Sequence, residues 1–218
     1  NDYDLLLISP ERLNAPDFRE QVLPQLARSV GMLVVDEAHG LGVRGSGGRG
    51  FVHELGLAGQ EDLVVTATLS KALGAQGGVV FGSPRVRAHL VDTARSFIFD
   101  TALAPPMVGA ARAALGIVER EPDRAARVLG VAKQLAEATG AIEPESAVVS
   151  VILGDPERAV AARDAARERG LEVGCFRPPS VPAGTSRLRL TARADLSDAD
   201  VSRAEAILRD VVEEFSHL

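Results

Sequence analysis

The sequence predicts an α/β protein with a mainly parallel sheet, followed by a smaller α+β unit. Short apolar runs alternate with helical patterns over the first hundred or so residues, which is typical of parallel sheets. Two of these runs end in chemically useful side chains, Asp36 after the first and Lys71 after the second. Long Ala-rich helical patterns begin at Pro105. We therefore place the change of domain near residue 120.

Composition restricts the class of protein. The 218 residues are 46% hydrophobic and 25% charged, which is usual for a globular protein. The net charge of −6 argues against polyanion binding as the main role. A single cysteine, Cys175, excludes an internal disulfide and a Cys-rich zinc site, and it suits a reducing cytoplasm. No metal site and no membrane-spanning run is predicted, and a chain that begins at Asn1 without methionine is expected to be a fragment.

The elements of the first unit follow from apolar spacing and from breakers. Residues 4–9 form an apolar run stopped by Pro10, and residues 14–29 show helical spacing. Residues 32–35 form a second buried strand, and residues 40–50 form a loop because six of the eleven are glycine. The remaining elements of this unit are a short helix at 51–57, strands at 62–66 and 78–82, a helix at 84–94, an extended segment at 96–99 and a helix at 105–119.

The second unit alternates strands and helices in the same way. Its predicted elements are helices at 122–139, 156–169 and 197–215, strands at 147–153, 171–173 and 187–191, and a Pro-rich loop at 177–184. We find no internal repeat.

Lysine is rare in this chain, which makes one of its positions informative. Lys71 and Lys133 are the only lysines, whereas 22 of the 24 basic residues are arginine. Arginine cannot lose its proton at a usable pH, but a lysine amine can do so and attack an aldehyde. Lys71 is therefore a candidate for chemistry that requires an amine. The alternative is a surface lysine in a turn between glycines.

Asp36 and Lys71, 35 residues apart, suit a pyridoxal phosphate site. The ring nitrogen of this cofactor needs a carboxylate that keeps it protonated, and the aldehyde needs an amine. His39 could reach the phenolic oxygen, while the hydroxyl of Thr68 and the backbone N–H groups around Ser70 could bind the phosphate. Each residue also has an ordinary explanation, because a strand-end aspartate is often a helix cap and a single histidine is often a surface residue.

Four segments resemble the 8-amino-7-oxononanoate synthases of the α-oxoamine synthase family over about residues 33–218. They are VDEAHGLGV at 35–43, TLSKALGAQGG at 68–78, RSFIFDTA at 95–102 and RPPSVPAGTSRLRLT at 177–191. The resemblance implies a fold-type-I large domain and a small α+β domain. It also implies a homodimeric, pyridoxal phosphate-dependent acyltransferase that condenses L-alanine with a pimeloyl thioester, of either coenzyme A or a carrier protein, and releases CO₂.

The same resemblance implies roles for single residues. Lys71 would be the Schiff-base lysine, Asp36 the partner of the pyridinium nitrogen, His39 the neighbour of the phenolic oxygen and Thr68 a phosphate contact. Arg189 would hold the amino acid carboxylate, and a guanidinium fork on a strand suits that task. Thr101 would reach the phosphate in a partner subunit. The alternative for Arg187 and Arg189 is pairing with nearby acids on one strand face.

The N-terminal residues 1–39 resemble a different family, the RecQ-type DNA helicases, up to the Asp-Glu-Ala-His string at 36–39. Asp36 would then bind Mg²⁺ through water and Glu37 would orient the attacking water. No phosphate loop of the form Gly-x-x-x-x-Gly-Lys-Ser/Thr occurs, so nothing would hold a nucleotide. We therefore expect no ATP hydrolysis stimulated by DNA, and no nucleic acid as a partner. We interpret residues 1–39 as a helicase-like segment of a chimera.

These resemblances divide the chain into a helicase-like segment at 1–39, a partial cofactor-binding domain at 33–120 and a small domain at 121–218. We expect a truncated sheet with an exposed edge or face and a cofactor site with one wall absent. Three functions follow for testing: a pyridoxal phosphate enzyme of biotin synthesis or its remnant, an ATPase fragment, and a folded but catalytically silent chimera.

Overall fold

A computed structural model describes residues 5–8 and 31–216 of the chain. It divides into two compact units, Asn1–Ala125 and Ala126–Leu218. The helix predicted at 14–29 lies outside the described residues, as do both ends of the strand predicted at 4–9. None of the helices within the described residues is long and apolar enough to cross a membrane.

The first unit contains a four-stranded sheet in the order β1-β2-β3-β4. The strands are β1 (Leu5–Ile8), β2 (Met32–Asp36), β3 (Leu63–Thr68) and β4 (Gly78–Phe81). The first three are parallel and β4 is antiparallel to β3. Parallel neighbours bring their carboxyl ends to one edge, so the residues after β2 and β3 become neighbours. The predicted mainly parallel sheet of an α/β protein is confirmed for the described strands of the first unit.

The register of β2 and β3 sorts their side chains onto two faces. Asp36 lies opposite Thr66, and alternation places Thr68 on the same face as Thr66. The other face carries Val35 and Leu63, which pack with Phe51 in a buried cluster. The cluster lies beneath the short helix α1 (Phe51–Glu54). One face of the sheet is therefore apolar core, and the other presents the polar side chains of Asp36, Thr66 and Thr68 at the carboxyl ends of β2 and β3.

Helices follow the sheet. They are α2 (Pro84–Thr93), α3 (Arg95–Ile98) and α4 (Pro105–Arg120). The predicted start of α2 is confirmed, since the Ser83 hydroxyl accepts from Val86 N at 3.4 Å and Pro84 occupies the first turn.

The extended segment predicted at 96–99 was wrong, because Arg95–Ile98 is one helical turn. The amide of Ile98 donates to the carbonyl of Ala94 at 3.0 Å. A run of four residues is too short for apolar spacing to separate strand from helix. Ile98 and Phe99 remain 47% and 78% exposed.

The outer strand β4 bears out the expected exposed edge in the described part of the first unit. It pairs with β3 on one side and ends the sheet order on the other. Val80 is 54% exposed and Phe81 is 51% exposed. The edge of β4 that faces away from β3 and its exposed apolar side chains form a surface against which another chain segment can pack.

The second unit has a three-stranded antiparallel sheet in the order β5-β7-β6. Its elements are most of α5 (Asp123–Thr139), β5 (Val148–Gly154), α6 (Pro156–Glu168), β6 (Gly174–Phe176), β7 (Ser186–Thr191) and α7 (Asp198–Ser216). Leu188 of the central strand and Leu208 of α7 are among its most deeply buried side chains. The inward residues of β7 alternate with outward arginines, which places Arg187 and Arg189 on the face away from this core.

The strand predicted at 171–173 was also misplaced, because pairing with β7 begins at Gly174. Leu171 still belongs to the end of α6, since its amide donates to the carbonyl of Ala166 at 2.9 Å. Gly170 before it has φ of +85°, a left-handed helix end. Leu171 and Val173 pack on the core without joining the sheet.

Candidate active site

Asp36 ends β2 with its side chain exposed and its carboxylate already oriented. Its Oδ1 accepts from the Ala38 amide at 3.0 Å and from the Thr66 hydroxyl at 3.3 Å. Both hydrogen bonds use the same oxygen, so Oδ2 has no hydrogen bond to another described residue. The aspartate thus stabilises the turn after its strand and still offers one oxygen to a ligand.

Glu37 is buried and serves the loop beside the site. It is 3% exposed, and its Oε1 accepts from the Val52 amide at 2.5 Å. Gly40 and Gly50 surround the carboxylate, since a Cβ on Gly40 would lie 1.8 Å from Oε2 and one on Gly50 3.0 Å from Oε1. A carboxylate held in this way cannot readily orient an attacking water, which removes the role that the helicase resemblance implied for it.

The loop after the Asp-Glu-Ala-His string is tied to α1. Arg44 donates to Glu54 through Nε at 2.9 Å and through Nη2 at 2.6 Å, and its guanidinium lies 5.3 Å from the centre of the Phe51 ring. The Gly45 amide donates to the same carboxylate. Hydrogen bonds from Arg44 and Gly45 to Glu54 therefore hold the Gly-rich loop against α1.

Lys71 lies in the turn between β3 and β4, and hydroxyl groups organise that turn. Thr68 Oγ1 and Ser70 Oγ are 2.7 Å apart, and the Ser70 amide donates to Thr68 Oγ1 at 3.2 Å. The Gly74 amide donates to the Lys71 carbonyl at 2.9 Å. Ser70 and Lys71 are both exposed. The turn therefore presents an amine and a hydroxyl together.

Apolar packing fixes the same turn from below. Leu69 and Leu73, on either side of Lys71, are buried against Ala111 of α4. Gly42 of the Gly-rich loop touches the turn closely, because a Cβ on Gly42 would lie 2.7 Å from the Ala72 Cβ. The loop that follows Asp36 and the turn that carries Lys71 are thus in direct contact.

The structure brings some predicted site residues together and leaves others apart. Asp36, Thr68, Ser70 and Lys71 lie at the carboxyl ends of β2 and β3. His39 is half-buried in the turn after β2. Thr101 is exposed between α3 and α4, where its amide donates to the Asp100 carboxylate. Among the described residues, no hydrogen bond joins Thr101 to the other site residues of this unit.

Arg189 belongs to the second unit and is half-buried on the outer face of β7. Its guanidinium lies 5.3 Å from the centre of the Phe176 ring. Among the described residues no carboxylate pairs with Arg189, and Arg187 donates to the Thr185 carbonyl at 2.9 Å. By contrast, a hydrogen bond from Arg193 to Asp195 raises the pKa of that guanidinium. The alternative of local ion pairs for Arg187 and Arg189 therefore fails among the described residues.

Sequence reasoning missed Thr66, Glu37 and Phe176 as supporting residues. The signal for Thr66 was its place two residues before Thr68, which puts both on one face of a strand. Glu37 and Phe176 gave no comparable signal, since their contacts depend on loop packing and on strand register. The described residues contain no cluster of His, Cys, Asp and Glu side chains that could hold a metal ion.

Comparison with known proteins shows that most of this chain matches one protein family. The family model for aminotransferase class I and II matches residues 16–208. The 8-amino-7-oxononanoate synthase of Mycolicibacterium smegmatis is 64% identical over 83% of this chain and 48% of its own length. That of Mycobacterium ulcerans is 61% identical over 88% of this chain and 49% of its own length. The chain thus spans about half the length of these relatives.

Solved structures share the fold. A structure of SPT with the PLP internal aldimine has a TM-score of 0.84 at 27% identity, covering 98% of this chain and 56% of that one. The 8-amino-7-oxononanoate synthase of Francisella tularensis has a TM-score of 0.73 at 28% identity, and the match covers 88% of this chain and 58% of that one. The fold is therefore that of the fold-type-I enzymes. The family match begins at residue 16, inside the segment interpreted as helicase-like, so the comparisons give the chimera no support.

Proposed function

We propose a function from one premise: the chain belongs to the aminotransferase class I and II family. Its residues form part of the active site of a pyridoxal phosphate-dependent acyltransferase of biotin synthesis. The substrates are L-alanine and a pimeloyl thioester. A bond forms between the alanine Cα and the acyl carbon, and the alanine carboxylate leaves as CO₂. The C–S bond breaks, and the departing thiolate takes up one proton and leaves as the thiol. The product is 8-amino-7-oxononanoate.

The observation that carries this proposal is the contact between two polar strand ends. Asp36 is anchored by Thr66 through Oδ1 while Oδ2 has no hydrogen bond to another described residue, and the Lys71 turn touches the loop that follows Asp36. An acceptor for a protonated ring nitrogen and an amine for an aldehyde are the groups that pyridoxal phosphate requires. The exposed Ser70 hydroxyl beside Thr68 adds a donor for phosphate. The residues present therefore fit this cofactor.

Each residue has a task in the proposed site. The bound cofactor supplies an electron sink for the charge that develops at the substrate Cα. The Lys71 amine binds the aldehyde carbon and carries a proton at Nζ. The Asp36 carboxylate holds the proton on the ring nitrogen, and His39 adjoins the phenolic oxygen. Thr68 and Ser70 bind the phosphate.

The remaining assignments concern the substrate and a second subunit. Arg189 binds the carboxylate of L-alanine, which suits a guanidinium that has no acidic partner among the described residues. Thr101 binds the cofactor phosphate of a partner subunit in a homodimer. The first unit then corresponds to the partial cofactor-binding domain and the second to the small domain. The cytoplasmic location remains a prediction from the single cysteine.

Covalent trapping of the cofactor tests the assignment of Lys71. The chain is incubated with pyridoxal phosphate, reduced with borohydride, digested and mapped by mass spectrometry. We expect the phosphopyridoxyl group on Lys71 and its loss in Lys71→Ala. Lys133→Ala is the matched control, because Lys133 is the other lysine, on α5 with its side chain 53% exposed. Equal labelling of Lys71→Ala and the unchanged chain would contradict the proposal.

Turnover requires a second assay. The chain loaded with cofactor is mixed with carboxyl-labelled L-alanine and a pimeloyl thioester, and released CO₂ is counted. Acyl transfer predicts release that depends on both substrates and is absent in Lys71→Ala. A chain that binds the cofactor and unfolds cooperatively but releases no CO₂ would correspond to the catalytically silent domain.

A further inference from the structure

The outer face of the small sheet in the second unit carries one arginine on an aromatic ring. Strand β7 is central, with Arg187 and Arg189 pointing away from the core. On the neighbouring strand β6, Gly174 lies opposite Arg189 and Phe176 lies opposite Arg187. The Phe176 ring nevertheless reaches Arg189, whose guanidinium carbon is 5.3 Å from the ring centre. The ring therefore crosses the strand diagonally.

Gly174 leaves room beside that diagonal contact. A Cβ at Gly174 would lie 3.4 Å from the Arg189 Cβ and 3.4 Å from Cε2 of Phe176, with the Arg189 carbonyl oxygen at 3.2 Å. Any larger side chain would occupy the space through which the ring approaches. Gly174 and the Phe176 ring thus pack together beside the Arg189 guanidinium.

The ring restricts Arg189 without using its hydrogen-bond donors. An arginine side chain loses about 2 kcal/mol of rotamer entropy when it is fixed. A ring face attracts the cation through its quadrupole and leaves the N–H groups in the plane of the guanidinium available. Among the described residues, neither a carboxylate nor a carbonyl accepts a hydrogen bond from the Arg189 guanidinium. The fork of donors is therefore oriented and still open to a ligand.

We propose that Phe176 is a positioning residue that holds Arg189 ready to bind a small carboxylate, with Gly174 giving the ring its access. This inference rests on the proposed function, in which that carboxylate belongs to L-alanine. Phe176 touches neither substrate nor cofactor and acts through Arg189.

Nuclear magnetic resonance of the full chain labelled with ¹⁵N-arginine tests the contact directly. Arg189→Lys identifies the Arg189 side-chain Nε–H signal by its disappearance. The ring current of Phe176 is expected to displace this signal, and Phe176→Leu is expected to abolish the displacement. Phe176→Tyr keeps a ring face and restores it. Ile152→Leu is the matched control, since Ile152 is exposed on the same sheet face opposite Arg187.

Titration with sodium acetate then tests the role of the contact, with sodium chloride at equal ionic strength as reference. Acetate is expected to shift the Arg189 Nε–H signal, and Phe176→Leu is expected to weaken acetate binding about two- to fivefold, the range of an exposed cation–π contact. Phe176→Tyr and Ile152→Leu should bind acetate as the unchanged chain does.

The outcomes separate this inference from the proposed function. An Arg189 signal that ignores acetate, or that responds equally in Phe176→Leu, overturns the positioning role even when Lys71 is labelled by pyridoxal phosphate. Failure of Lys71 labelling together with acetate binding that depends on Phe176 overturns the proposed function instead. Unfolding midpoints of the variants, measured by circular dichroism, identify any loss of binding caused by unfolding.

Discussion

Gly40→Ala should destabilise the first unit although it adds one methyl group. The new Cβ would lie 1.8 Å from Glu37 Oε2, 3.0 Å from Glu37 Cδ and 3.6 Å from the Phe51 Cβ. Gly40 does not have a positive φ, so alanine meets no backbone strain there. The cost therefore comes from the displaced carboxylate.

The size of the destabilisation follows from the hydrogen bond that the displaced Glu37 carboxylate would lose. Its Oε1 accepts from the Val52 amide inside the protein, and a hydrogen bond to a charged group contributes about 1.5–3 kcal/mol. Alanine in place of an unstrained glycine returns about 0.4–1 kcal/mol by restricting the unfolded chain. We expect a net loss of about 0.5–2.6 kcal/mol in the free energy of unfolding of this unit.

Hydrogen exchange at increasing urea, read by mass spectrometry, is the suitable assay because the chain has two units and no tryptophan. Peptides around Phe51 report the first unit, and peptides of the second unit give an internal reference. Gly109→Ala is the matched control, since Gly109 lies in α4 with nothing within 4 Å of an added Cβ. That change should stabilise by about 0.5–1 kcal/mol.

A double-mutant cycle identifies the cause. In a Glu37→Ala background the added methyl group no longer displaces a carboxylate, so Gly40→Ala should cost little there. We expect a coupling energy of at least about 1 kcal/mol, the usual size for residues in contact. The reasoning is refuted if Gly40→Ala stabilises as Gly109→Ala does, or if its cost is the same with and without the Glu37 carboxylate.

Two further changes test the cap of a helix and the hydrogen bond that supports the Asp36 carboxylate. Asp155 accepts hydrogen bonds from the amides of Glu157 and Arg158 at 2.9 and 2.8 Å. Asp155→Ala should therefore lower the free energy of unfolding of the second unit by about 1 kcal/mol in the same exchange assay. Asp155→Asn should retain most of that stability, because asparagine also caps helices. Thr66→Val removes the hydroxyl that donates to Asp36 and should weaken pyridoxal phosphate binding about fivefold in an absorbance titration. Thr66→Ser keeps a hydroxyl and should leave the affinity unchanged. Unchanged affinity in Thr66→Val would contradict a role of Thr66 in supporting Asp36.

Local patterns predicted the strands that are buried and the helices that are capped. The run before Asp36 was apolar throughout, and Ser83-Pro84 combined a cap with a first-turn proline, so local chemistry and tertiary structure agreed there. Residues 96–99 contain aromatic and β-branched side chains that also suit a strand. No local rule separates the two states over so short a segment, and the chain forms a helical turn.

The sequence was sufficient to choose the candidate site residues, but it did not reveal the contacts that support them. The order of Asp36, Thr68 and Lys71 is visible in one sequence. The bond from Thr66 to Asp36 and the ring of Phe176 over Arg189 depend on which residues of two strands lie opposite each other. Register is set by the whole sheet and by its turns, so a single strand does not reveal it.

The two lysines of the chain lie in different units, Lys71 in the turn after β3 and Lys133 on α5. Amine-directed dyes can therefore mark each unit at one known point, once the terminal amine has been blocked near neutral pH, where its lower pKa makes it react first. Replacing either lysine leaves a singly labelled reference. A dye on Lys71 removes the amine that is proposed to bind the cofactor. Energy transfer between the two dyes would therefore measure, in solution, the spacing of the units in the chain without cofactor.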